Sequence, residues 1–165
     1  MFDLVAADQK EFTFLDPGDL SDGVIRLQLV ETRPAESEKG RSPCYAFHIC
    51  DAESGILVGD VRLRVGNTED LRLYAGHIGY GIHVEYRGRR FATHAVRLLM
   101  PLALRHGMSE LWITCDPENI ASRRTCELAG ADLVEIVDLP PDIDMYQDGE
   151  RQKCRYCLDL IHSCS

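Results

Sequence analysis

The stretch from Arg87 to Ala92, RGRRFA, gathers three arginines around one glycine directly before a long amphipathic run, and the chemistry this suggests is anion binding. The first N–H groups of a helix lack internal partners, and the helix dipole favours negative charge there. Arg87, Arg89 and Arg90 place guanidinium groups around that point. The common phosphate loops are excluded, since neither GxxxxGK[ST] nor GxGxxG is present. The segment before it, YAGHIGYGIHV, sets Ile78, Tyr80, Ile82 and Val84 on one face and His77, Gly79, Gly81 and His83 on the other. Glycines inside a strand mark either a bulge or the close approach of something to the backbone.

A second group of reactive side chains carries less. Cys44, Cys50, Cys115, Cys126, Cys154, Cys157 and Cys164 are odd in number and sit mostly in apolar segments, as expected of reduced, buried thiols. The Cys154–Cys157 pair, CRYC, lies in a segment that alternates like a strand, so its two thiols face opposite ways. Neither a second CxxC nor a histidine pair completes a tetrahedral site, and no metal is expected.

These residues need elements to position them. Alternating polarity predicts strands over 24–31 (with Ile25, Leu27 and Leu29 on one face), 44–50, 56–65 and 74–84. The period then becomes helical from Gly88, with Phe91, Ala95, Leu98, Leu99, Leu102 and Ala103 in one stripe and Gly107 as the stop. Pro101 inside that stripe should kink or shorten the helix. A strand over 110–115 follows, then a helix from the N-cap Asn119 to Gly130, and strands over 132–139 and 151–161. The order β-β-β-β-α-β-α-β-β implies one α/β domain across residues 1–165, with an N-terminal segment over 1–22 and a core over about 24–161. Its sheet would be mixed, mostly antiparallel and of about seven strands with two main helices, and a parallel pair is expected where the first helix joins strands four and five.

The bulk properties bound the function. At 165 residues, 45% hydrophobic and 27% charged, the chain can bury a real core and is not a disordered segment. A formal charge of −9 repels nucleic acid and anionic membranes, so neither is an expected partner. No stretch has the length of a membrane span and the N-terminus lacks the pattern of a signal peptide, so a cytoplasmic protein is expected. The same acidity favours a cationic amine as substrate.

Arg87-Gly88-Arg89-Arg90-Phe91-Ala92 resembles the pyrophosphate signature [QR]-x-x-G-x-[GA] of the GNAT acetyltransferase superfamily, which opens the helix after that family's fourth strand. The central glycine is replaced by Arg90, which can offer a guanidinium to a phosphate in place of tight backbone approach. Asn119-Ile120-Ala121-Ser122, with Gly130 further on, resembles the family's N-x-x-[AS] segment, and the form of these motifs is most similar to the ribosomal-protein N-acetyltransferase branch. The resemblance covers about residues 24–161. It implies that strands four and five splay apart, that acetyl-CoA lies in the wedge with its pantetheine arm along strand four, and that Ile82, His83, Val84, Arg87, Gly88, Arg89, Arg90, Phe91, Ala92, Asn119 and Ser122 contact it.

The activity so implied is direct acetyl transfer to an amine acceptor, a small molecule or a protein N-terminus, in a ternary complex. The amine must lose a proton before it attacks. His77 is the expected base, ahead of His83 and Asp60, because an imidazole titrates near neutrality. Glu85 is read as a solvated charge. The oxyanion would be held by the amide of His83 or Val84. The family's usual acid is a tyrosine seven residues after the motif asparagine, and Cys126 stands there instead. That leaves Cys126 itself, water, or another tyrosine, Tyr80 or Tyr146, to protonate the thiolate. Two other readings are a non-catalytic acyl-CoA-binding module and an interaction domain without a cofactor. An exposed edge strand near the C-terminus would let two copies pair as a homodimer.

Overall fold

The computed structural model describes residues 12–163, so Cys164 and the first part of the 1–22 segment lie outside the described residues. Two antiparallel sheets make up the molecule. The larger contains β1 (Leu20–Ser21), β2 (Ile25–Arg33), β3 (Cys44–Asp51), β4 (Leu57–Arg64) and β5 (Ile78–Ile82), side by side in that order. The smaller contains β6 (Glu110–Cys115), β7 (Asp132–Asp138) and β8 (Gln152–Asp159), with β8 between the other two. Helix α1 (Phe91–Arg105) joins β5 to β6 and α2 (Ile120–Ala129) joins β6 to β7, with the short α3 (Asp144–Gln147) before β8 and α4 (Leu160–Ser163) after it. This is a mixed α/β fold, and no helix among the described residues is long and apolar enough to cross a membrane.

The core is built from the alternation read in the sequence. Val61 and Leu63 of β4 and Ile78 of β5 turn inward against Ala95, Leu99, Leu102 and Ala103 of α1, all of them buried. On β2 the pattern stops early: Ile25 and Leu27 are buried but Leu29 is 41% exposed. A bulge between Leu29 and Glu31 breaks the register with β3 there. The N-terminal segment is docked on this core, with the Leu15 amide donating to the Tyr45 hydroxyl at 2.7 Å and the Phe14 ring edge-on to that of Tyr45.

Helix α1 continues through Pro101 to Arg105, against expectation. Pro101 and Arg97, whose carbonyl would have received the missing N–H, share the solvent face, so water can satisfy that oxygen. Helix α2 starts on Asn119, whose Oδ1 accepts from the Ser122 amide at 3.1 Å, and stops at Gly130 in a left-handed conformation.

The parallel pair expected between the fourth and fifth predicted strands does not form as a ladder; these strands, β5 and β6, belong to different sheets. They are tied at one end only, where the His77 amide donates to the Trp112 carbonyl at 2.7 Å. The Trp112 amide is then taken by the His77 side chain instead of the β5 backbone, at 2.9 Å, and the strands diverge. Gly76 permits the close approach at this pin, since a Cβ there would lie 3.2 Å from the Trp112 carbonyl oxygen.

Candidate active site

The divergence of β5 from β6 opens a cleft of about 450 Å³ between β5, α1 and α2. Its floor is the free edge of β5. In the ladder with β4, the His83 amide donates to Val58 at 2.8 Å and the Arg64 amide to His77 at 2.7 Å. By antiparallel alternation, Tyr80 and Ile82 therefore turn their own N–H and C=O groups to the open edge. Arg87 Nε already donates to the Ile82 carbonyl at 3.0 Å, which fastens the turn after β5 to the strand.

The mouth of the cleft is the start of α1. Arg87, Gly88, Arg89, Arg90, Phe91 and Ala92 all line it, and no side chain caps the helix. Arg90 takes the N-cap position at φ 63°, ψ 21°, and is the one non-glycine residue with positive φ among the described residues. The site of the signature's missing glycine thus has the backbone conformation that glycine adopts freely, at a cost for arginine of roughly 1 kcal/mol. One turn in, Thr93 lines the same cleft at 3% exposure, and its Oγ1 is buried without a hydrogen-bond partner among the described residues. Uncapped helix amides and cationic side chains around one cavity suit a diphosphate ester.

Across the cleft, α2 contributes Ala121, Ser122, Arg124, Thr125 and Leu128. Thr93, Arg124 and Thr125 were not singled out from the sequence. The spacing of Ala121, Thr125 and Leu128 is that of one helix face, and Thr93 follows the signature by one residue, but neither pattern names a ligand without knowing what faces it.

The closed end of the cleft holds Tyr80. Its hydroxyl lies 2.7 Å from Ser122 Oγ, donates to the Ser122 carbonyl at 3.2 Å and is 3.9 Å from Cys126 Sγ. Burial raises its pKa, so the phenol stays protonated. Cys126 is fully buried and outside the lining; a hydrogen bond to Cys115 and burial hold its thiol well above the usual range.

His77 is placed differently from expectation. It is 2% exposed and outside the cleft lining. Its Nδ1 accepts from the Trp112 amide, so the proton sits on Nε2, which donates to the Gly66 carbonyl at 2.9 Å. Burial lowers its pKa, and a neutral ring with both nitrogens on the backbone has no lone pair for a substrate. His83 and Val84 also lie outside the cleft: His83 borders a groove on the other side of the sheet, and Val84 is 72% exposed in a short turn. Tyr146, on α3, is stacked under Arg151 at 3.8 Å and is absent from the lining.

Each glycine of β5 has a neighbour over it. Asp60 Oδ1 lies 3.4 Å from where a Gly81 Cβ would stand, and the Arg64 guanidinium 3.6 Å from that of Gly79. Of the two meanings open for these glycines, close approach is the one realised, by side chains of β4.

The family described as acetyltransferase (GNAT) domain matches residues 4–132. None of the curated proteins matches the sequence. An acetyltransferase (GNAT family) from Bacillus anthracis is 18% identical with a TM-score of 0.55, over 70% of this chain and 66% of that one. A putative ribosomal-protein-serine acetyltransferase from Vibrio cholerae is 17% identical with a TM-score of 0.60, over 88% and 99%. The spermidine N-acetyltransferase from Vibrio cholerae, solved with CoA and spermine, is 17% identical with a TM-score of 0.56, over 74% and 69%. These likenesses carry the fold, and the match over more than half of the sequence carries the assignment: the chain belongs to the GNAT acetyltransferase family.

Proposed function

We propose that the protein is an N-acetyltransferase that binds acetyl-CoA in the cleft between β5, α1 and α2 and passes the acetyl group directly to an amine held beside it. The observation that carries this reading is that one cavity joins the uncapped, arginine-rich start of α1 to the protonated Tyr80 hydroxyl. Bound acetyl-CoA supplies an activated thioester. The first-turn amides of α1, Arg89, Arg90 and the Thr93 hydroxyl hold its diphosphate, and the free edge of β5 at Tyr80 and Ile82 orients its amide arm.

Tyr80 serves as the acid. Its hydroxyl reaches, from β5, the stretch of α2 where the motif tyrosine is replaced by Cys126. Its raised pKa keeps the phenol protonated, so that it can donate a hydrogen bond to the departing sulfur, and Ser122 aims the hydroxyl. His77 pins the strands and takes no proton from the substrate. His83 borders the groove behind β5 and not the cleft, so it would take the proton on that side of the strand. The His83 amide is committed to Val58 and Val84 lies outside the cleft lining, so neither expected amide holds the developing oxyanion.

A non-catalytic acyl-CoA-binding module is favoured by one observation, the thiol standing in place of the motif tyrosine. Calorimetry with acetyl-CoA followed by a thiol-release assay over a panel of primary amines separates these readings. Acetyl-CoA binding with amine-dependent thiol release is expected. Binding without release on any amine would leave the sensor reading, and absence of binding would overturn both.

A further inference from the structure

A second cavity, a groove of about 310 Å³, lies on the face of the large sheet turned away from α1. Glu31, His48, Gly59, Asp60, Arg62 and His83 border it. It shares no lining residue with the cleft, but one row of residues runs across the sheet from the groove to the cleft. His48 of β3 stands opposite Asp60 of β4, and Asp60 stands opposite Gly81 of β5. Gly81 lines the cleft, and the Asp60 carboxylate lies over the place its side chain would fill. Nothing larger than a hydrogen atom on Gly81 therefore separates Asp60 from the strand that floors the cleft. The two strands are also pressed together at the groove's end, since a Cβ on Gly59 would lie 2.2 Å from the Gly81 carbonyl oxygen.

Charge in this groove differs from charge over the whole chain. The protein carries −9, but the groove pairs two carboxylates, Glu31 and Asp60, with two guanidinium groups, Arg33 and Arg62. Glu31 is tied to Arg33 at 3.0 Å. Asp60 and Arg62 make no hydrogen bond or ion pair among the described residues, and sit two residues apart on the same face of β4, about 7 Å along the strand. One free carboxylate beside one free guanidinium is complementary to a ligand bearing an ammonium and a carboxylate at that separation. A polyamine would set its second ammonium against Arg62.

We infer that this groove is the acceptor site, that Asp60 binds the acceptor amine as its ammonium, and that Arg62 selects an α-amine followed by acidic groups, as at the N-terminus of an acidic peptide. This rests on the acetyl-CoA reading of the neighbouring cleft. It replaces the cationic acceptor suggested by net charge with one set by the groove's own charges.

The test compares three probes with the full chain: the tetrapeptide SEDE with a free N-terminus, the tetrapeptide SKRK and spermine. The wild type should acetylate SEDE with a kcat/KM at least tenfold above that for SKRK or spermine. Asp60→Asn should lower kcat/KM for SEDE at least tenfold, mainly through KM, and Arg62→Glu should shrink or invert the SEDE:SKRK ratio by tenfold or more. Both side chains are solvent-accessible, so unchanged melting and an unchanged acetyl-CoA Kd by calorimetry are expected of both variants. Equal or better use of SKRK or spermine by the wild type overturns the inference, as does a ratio unmoved by Arg62→Glu. So does normal acetyl-CoA binding with none of the three probes acetylated, which leaves the cofactor reading standing. Failure of the wild type to bind acetyl-CoA brings down the proposed function, and this inference with it.

Discussion

Tyr80 of β5 and Cys126 of α2 meet at the closed end of the cleft, with the phenol oxygen 3.9 Å from the thiol sulfur and 2.7 Å from Ser122 Oγ. The helix presents a small side chain at the position where the resemblance implies a tyrosine, and a hydroxyl from β5 lies beside it. Tyr80→Phe should lower kcat by about 100-fold, the lower end of general acid catalysis, with acetyl-CoA Kd unchanged. Because burial raises the Tyr80 pKa above its ordinary value near 10, wild-type kcat should show no loss from this group below about pH 10. Steady-state thiol release against pH checks both statements. An unchanged kcat in the phenylalanine variant would return the role of acid to water.

His77 should act on stability and not on turnover. Replacing it with leucine strands the Trp112 amide and the Gly66 carbonyl, at about 1–3 kcal/mol for each buried group left unpaired. Acetylation per folded molecule, measured well below the lowered Tm, should stay within twofold. The pH dependence has a definite sign. The folded-state pKa lies below the unfolded value of about 6.5, so the unfolded chain binds the extra proton first. Stability is then fully present above pH 6.5 and is lost as pH falls through that range. His77→Leu should flatten that acid limb in denaturant titrations. Burial lowers the His106 pKa as well, so part of the limb should remain.

What the sequence made legible follows from periodicity and caps. Asn119 and Gly130 bound α2 as expected, and the alternation of β4 holds from Asp60 to Arg64 but breaks at Leu57 to Gly59, where the register with β3 shifts. His77 was misread because chemistry near neutral pH is a property of the residue type, whereas its availability depends on Gly66 and Trp112, 11 and 35 residues away. The same limit hid the groove. The row His48, Asp60, Gly81 crosses three strands, and no single window of sequence contains it. Leu29 failed for a different reason, a bulge that alternation cannot announce.

Arg90 trades fold stability for charge. Arg90→Gly removes the left-handed penalty and should raise stability by about 1 kcal/mol, seen as a higher Tm without ligand. It also removes a guanidinium from the mouth of the cleft, so acetyl-CoA should bind roughly tenfold more weakly, the loss of a charge-assisted contact of about 1.5 kcal/mol. Melting curves and calorimetry on the same preparation measure both changes. A gain in stability with unaltered affinity would make Arg90 a tolerated substitution with no part in binding.

Thr93 gives the sharpest separation of folding from binding, because its hydroxyl has no hydrogen-bond partner among the described residues. Thr93→Val keeps the shape of the side chain and deletes a buried oxygen that makes no hydrogen bond. A buried hydroxyl left unpaired costs about 1–3 kcal/mol, so the valine variant should be more stable than the wild type by about 1 kcal/mol in the absence of ligand. If the hydroxyl exists to meet an oxygen of the ligand, the same change should weaken acetyl-CoA binding about fivefold to tenfold, the value of one hydrogen bond. The two effects have opposite signs, and simple damage to the fold would produce a loss in both. Thr93→Ser, which restores the oxygen without the methyl group, should recover most of the affinity while losing some packing against the core. Thermal melting and calorimetry of the three forms decide it: affinity that follows the methyl group and not the oxygen would remove Thr93 from the ligand site.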